Sequence, residues 1–127
     1  MREIVSSDAP RPAGHYAQAI EHQGMVYVSG QLPIDPKREE KHVGSIEEQT
    51  EQALANLTAI LKAADSGKDR IVKVTIYLSD IALWNRVNSV YARFFGEHCP
   101  ARTIVSAGEL HHGFQIEIDA VAAVGMG

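Results

Sequence analysis

Ile71-Val72-Lys73-Val74-Thr75-Ile76-Tyr77-Leu78 is the stretch from which the fold is read. Most of its residues are β-branched or aromatic, side chains that pack well on a pleated surface, so a central strand is predicted here. On both sides the apolar residues switch to helical spacing. Upstream, Ser45-Ile46-Glu47-Glu48 is a capping box, in which the serine hydroxyl takes an early helix amide and Glu48 reaches back to the serine amide. The helix predicted from it runs to about Ala64, with Ile46, Ala53, Leu54, Leu57, Ile60, Leu61 and Ala64 as its buried stripe. Downstream, Ser79 or Asp80 caps a second helix predicted from about Ile81 to Phe95. Its inward residues are Leu83, Val87, Val90, Tyr91, Phe94 and Phe95, and Gly96 is expected to end it in a left-handed conformation.

Further strands are predicted outside this strand and its two helices. Residues 2 to 6 make a short one, and the proline-bearing segment from Asp8 to Gly14 follows as irregular chain. Residues 16 to 22 and 25 to 30 alternate around Gln23-Gly24, a hairpin signal. Leu32 to Gly44 reads as a polar loop, and residues 102 to 108 and 114 to 124 supply two more strands. The order ββαβαββ predicts an α+β sandwich, one sheet with both helices packed on one face. The second face also carries Val, Ile and Ala, an apolar surface that needs a cover, so a homo-oligomer is expected.

At 127 residues with 45% hydrophobic content, the chain suits one domain spanning residues 1–127. Twelve Lys and Arg against sixteen Asp and Glu leave a formal charge of −4, so no basic field is available to hold nucleic acid non-specifically. The start lacks an apolar signal core, and no stretch approaches the roughly 20 apolar residues that span a bilayer. A cytoplasmic protein is expected, with no membrane partner. The single cysteine, Cys99, has no internal disulfide or CxxC partner and reads as a small buried or half-buried hydrophobe.

Two charges carry the chemistry. Arg102 leaves the Pro100-Ala101 turn into a strand, placed to hold a carboxylate in a bidentate fork. Glu117, in Phe114-Gln115-Ile116-Glu117-Ile118-Asp119-Ala120, is expected on a neighbouring strand, where a carboxylate can orient a water. Asp119 reads as the solvated face of the same strand, Tyr91 as a packing aromatic, and His111-His112 as a solvated turn without the spacing of a metal pair. The mixed-sign run Lys37-Arg38-Glu39-Glu40-Lys41 reads as a solvated loop.

Several segments resemble the RidA (YjgF) family in order and spacing. They are Gly14-His15-Tyr16-Ala17-Gln18-Ala19, Val26-Tyr27-Val28-Ser29-Gly30-Gln31-Leu32-Pro33, Gln49 to Leu57, Val87-Asn88-Ser89-Val90-Tyr91, Phe94-Phe95-Gly96 and Pro100-Ala101-Arg102. The resemblance implies a chorismate-mutase-like fold, assembled as a homotrimer whose sheets line a central barrel and whose clefts lie between adjacent subunits. It also implies an activity, hydrolysis of 2-imino and enamine acids such as 2-aminoacrylate to 2-keto acids and ammonia, without cofactor or metal. By the same resemblance Arg102 binds the substrate carboxylate, Glu117 orients water or transfers a proton, and Tyr16, Ser29, Gly30 and Asn88 border the cleft. His15 stands where the family has proline, Ile104 where its best-known members have cysteine, and His111-His112 where Pro-Lys is usual. These departures bear on substrate preference. A metabolite-binding trimer without turnover and an endoribonuclease are the other readings; the acidic charge and the absence of a basic, aromatic-interleaved stripe speak against the latter.

Overall fold

The computed structural model describes residues 1–125; Met126 and Gly127, the last two of the expected 1–127 domain, lie outside them. Its strands are β1 (Arg2–Ile4), β2 (Ala19–His22), β3 (Met25–Gln31), β4 (Ile71–Leu78), β5 (Ala101–Ser106) and β6 (Ile116–Ala123), and its helices are α1 (Ile46–Ala63) and α2 (Trp84–Phe95). The strands form one six-stranded sheet in the order β1-β2-β3-β6-β4-β5. The pairings are antiparallel except β4 with β5, which run parallel because the chain between them crosses over through α2.

The capping box at α1 forms as the sequence dictates. Ser45 Oγ accepts from the Glu48 amide at 3.1 Å, and Glu48 Oε1 accepts from the Ser45 amide at 2.9 Å. Every residue of the expected apolar stripe is buried. α2 begins later than expected: Asp80 caps a 3-10 turn over Ile81–Leu83 by accepting from the Ala82 amide, and α-helical geometry sets in only at Trp84. Gly96 ends α2 with φ 64° and ψ −123°; its φ is positive as expected, but its ψ lies outside the left-handed helical region.

Alternation along the central strands separates two faces. Val74, Ile76 and Leu78 of β4 and Ile116, Ile118, Ala120 and Ala122 of β6 are buried in the core with Leu54, Leu57, Ile60 and Leu61 of α1. Lys73, Thr75 and Tyr77 alternate with the first set, and Glu117, Asp119 and Val121 with the second, so they occupy the opposite face. The isoleucines of β4 and β6 turn toward the helices, yet the opposite face carries Ile20 of β2, Met25 and Tyr27 of β3, Val105 of β5 and Val121 and Ala123 of β6, so the expected Val, Ile and Ala are present there among charged and polar neighbours. Tyr77 donates to Asp119 Oδ2 at 2.9 Å and Lys73 Nζ to Thr103 Oγ1 at 2.7 Å across it. Among the described residues, no helix is long and apolar enough to cross a membrane.

Candidate active site

A cavity of about 570 Å³ opens beside the bulged end of β3. It collects four residues singled out from sequence, Tyr16, Ser29, Gly30 and Glu117. The local chain explains why they meet. The β3–β6 register slips between Val28 and Gln31, which lifts Ser29 and Gly30 out of regular pairing. Ser29 then fastens the preceding segment: its amide donates to the Gln18 carbonyl at 2.9 Å and its hydroxyl to the Ala17 carbonyl at 2.7 Å. That tether, with the Tyr16 amide turned back to the Gly14 carbonyl, keeps residues 16–18 out of β2, which starts at Ala19 rather than at the expected residue 16.

Glu117 fills the space that a side chain at position 30 would occupy. A Cβ built on Gly30 would lie 2.5 Å from Glu117 Oε2 and 3.0 Å from its Cδ. The carboxylate has no hydrogen-bond partner among the described residues. Burial first, and then the Asp119 carboxylate, push its pKa above the ordinary carboxylate range, while His111 pulls it down. A carboxyl so placed can exchange a proton with a bound molecule nearer neutral pH than a solvated one. Tyr16, half exposed, accepts from the Ala13 amide at 3.2 Å, which leaves its own hydroxyl proton available to a ligand.

Arg102 lies elsewhere. In the parallel β4–β5 ladder it pairs with Val74, hence it points to the helix side of the sheet, whereas Glu117 pairs with Tyr77 on the other side. β4 also stands between β5 and β6, so the two charges are not on neighbouring strands as expected. Within one copy the structure does not bring Arg102 and Glu117 together. Arg102 is grouped instead with Asn88, whose Oδ1 accepts from its Nη1 at 2.8 Å. Its guanidinium carbon lies 4.7 Å from the Tyr91 ring centroid and 5.7 Å from that of Trp84. These aromatic faces attract the cation and fix its plane. No carboxylate pairs with Arg102 among the described residues, and most of its N–H fork remains free for a ligand.

Three contributors escaped the sequence reading. Trp84 carries no motif and is recognisable only once α2 faces β5. Tyr91, read as packing, is both buried and a platform for Arg102; its hydroxyl is buried without a hydrogen-bond partner, and burial raises its pKa. Gln18, buried, holds the proline-bearing wall of the cavity by donating to the Ser6 and Pro10 carbonyls and accepting from the Ser6 amide. A glutamine in an alternating run gives no sign of that task. His111 and His112, read as a solvated turn, are exposed yet line the cavity. Among the described residues no cluster of three or more His, Cys, Asp or Glu side chains is placed to hold a metal ion.

Comparison with known proteins places this geometry in a family. Residues 6–124 match the family model described as Endoribonuclease L-PSP. A RutC family protein of Pyrococcus horikoshii is 43% identical over 123 residues, covering 96% of this chain and 98% of that protein. The crystal structure of YEO7 from yeast superposes with a TM-score of 0.93 at 36% identity, covering 98% of each chain. That of Escherichia coli TdcF with bound serine does so with a TM-score of 0.92 at 31% identity, covering 98% of this chain and all of the other. With the model matched along nearly the whole chain and relatives this similar in sequence and fold, the chain belongs to the YjgF/RidA family.

Proposed function

We propose that this protein hydrolyses 2-imino acids and their enamine tautomers, such as 2-aminoacrylate, to 2-keto acids and ammonia. The observation that carries the reading is Arg102, a guanidinium fixed by Asn88 and two aromatic faces yet left without an acidic partner. Such a group suits bidentate capture of a substrate carboxylate. The chemistry then needs a proton acceptor for water and a proton donor for the leaving nitrogen. Water oxygen bonds to the imine carbon as its proton passes to Glu117, and the C=N electron pair moves to nitrogen, which takes that proton back from the Glu117 carboxyl. As the carbinolamine collapses, its hydroxyl proton is carried by Glu117 to the amino nitrogen, the C–N bond breaks, ammonia leaves and the carbonyl remains. Proton transfer of this kind contributes about 10²–10⁴ in rate, a useful margin for an already labile imine. The serine held by TdcF, a relative of the same fold, is a small 2-amino acid that carries a carboxylate on a carbon skeleton of similar size.

The working unit in this reading is a homotrimer with its sites between copies. Arg102 and Glu117 act on one substrate only if they come from different copies, because they leave opposite faces of the sheet. The family model's endoribonuclease description finds less support in a chain of net charge −4. Bound serine in TdcF also suits a metabolite-binding trimer that turns nothing over, and a rate separates the two readings. Release of 2-keto acid from freshly generated 2-aminoacrylate is measured for the wild type, Arg102→Ala and Glu117→Ala. Acceleration by the wild type that both variants lose is the expected result; the spontaneous rate in all three refutes the deaminase reading and favours the binding one.

A further inference from the structure

Trp84, the chain's single tryptophan, opens α2 beside Arg102. Its ring centroid lies 5.7 Å from the guanidinium carbon, yet 36% of the residue stays exposed. Asn88 and Tyr91 follow one and two turns later on the same helix face, so Trp84 forms the outer end of the stripe that holds the guanidinium. Ile81, also exposed, stands one 3-10 turn earlier, where side chains three residues apart eclipse. On β5, Ile104 shares the face of Arg102 and packs half-buried against the core. Apart from the Asn88 amide, these neighbours border the N–H fork with hydrocarbon.

We propose that Trp84 is the specificity-determining residue of this site, selecting 2-imino acids with bulky hydrocarbon side chains over 2-aminoacrylate. The reaction rests on the deaminase reading; the binding preference does not. A carboxylate clasped by Arg102 brings the rest of its molecule alongside the exposed part of the indole, and water leaves that surface only when the ligand carries apolar atoms to cover it. In the proposed assembly the neighbouring half-site has the room. The Glu117 cavity of about 570 Å³ falls in the range that houses drug-sized ligands, and half-buried Leu32, Ile34 and Leu110 add apolar surface to its lining. A three-carbon acid leaves most of that space and the indole wet. The lining's charged and titratable groups, Arg11 against Glu109 and Glu117 with His111 and His112 beside them, are a mixed set that favours neither an anionic nor a cationic side chain.

Binding of the 2-keto acid products tests this without turnover. Pyruvate and 4-methyl-2-oxopentanoate share the carboxylate and differ in the side chain, methyl against isobutyl. Their affinities for the full-length protein are measured by calorimetry, with Trp84 fluorescence reporting contact at the indole. The expected result is that the isobutyl acid binds wild type roughly tenfold or more tightly than pyruvate and shifts the Trp84 emission. That advantage should be lost in Trp84→Gln and largely kept in Trp84→Phe. Removing the ring also loosens Arg102 and weakens both acids, so the ratio, and not either affinity, reads the wall. A wild-type ratio within about twofold overturns the proposal, as does an unchanged ratio in folded Trp84→Gln, tighter binding of 2-oxoglutarate than of the isobutyl acid, or no binding of either acid. The kcat/KM ratio for the matching imines should follow the binding ratio. Selective binding with no imine hydrolysed refutes the deaminase reading alone; hydrolysis without the preference refutes this one alone.

Discussion

Gly30→Ala tests the placement of Glu117 without touching its chemistry. The added Cβ would meet Oε2 at 2.5 Å, Cδ at 3.0 Å and Cγ at 3.3 Å, where ordinary contact begins at 3.4 Å. The carboxylate must therefore retreat by about 1 Å. Gly30 has no left-handed φ that alanine would resist, so the backbone accepts the change and the flexible end of Glu117 takes the strain. For a group that moves protons, a displacement of that size costs on the order of 10² in rate, inside the range of about 10²–10⁴ for complete loss of acid–base catalysis. The assay is steady-state 2-keto acid release, with kcat and KM resolved. A displaced carboxylate lowers kcat; a methyl that merely narrows the cavity raises KM. Gly30→Ala/Glu117→Ala should be no slower than Glu117→Ala alone, because both changes remove one function. If Gly30→Ala keeps kcat within about threefold of wild type, a carboxylate in this position is not what moves the proton and the assignment of Glu117 fails.

Two other expectations concern stability. The Glu117 carboxyl has a folded pKa above the 4.5 of an ordinary glutamate, so between the two values the folded chain binds more protons and stability falls as pH rises through that window. Glu117→Gln should therefore melt higher than wild type at pH 7.5, by a degree or two, since solvent screening at a half-buried carboxyl keeps the penalty below about 1 kcal/mol. The advantage should close as pH drops below 4.5, and a lower Tm at pH 7.5 would count against the burial argument. Tyr91→Phe deletes a buried hydroxyl that has no partner in this chain, so thermal unfolding should show no loss and a gain of up to about 1 kcal/mol. A loss of that size would mean that the hydroxyl finds its partner in an assembled form.

What was legible in the sequence was local. The α1 start could be read from Ser45 and Glu48 because a capping box is complete within one turn, and β4 stood out because a run of β-branched residues between two helical patterns has few other homes. The start of α2 was misplaced because Asp80 is a genuine cap, but of a 3-10 turn rather than of the helix itself. β2 was read too early because the Ser29 hydroxyl, distant in sequence, holds Ala17 off the ladder. For the site, residue types were visible while their sides were not. Arg102 and Glu117 each sit in an alternating strand, yet which face each takes depends on β5 lying parallel to β4 and β6 antiparallel to it, pairings set by crossover topology.

The division of Arg102 and Glu117 between two faces of one sheet has a genetic consequence. If the proposed pair is completed between copies, a subunit lacking Arg102 still lends its glutamate to a neighbour, and a subunit lacking Glu117 still lends its arginine. Two alleles, each null alone, would then complement inside a shared oligomer, restoring roughly a quarter of the sites under random mixing of equal amounts. Inheritance of the activity would follow the interfaces between subunits rather than the subunits themselves.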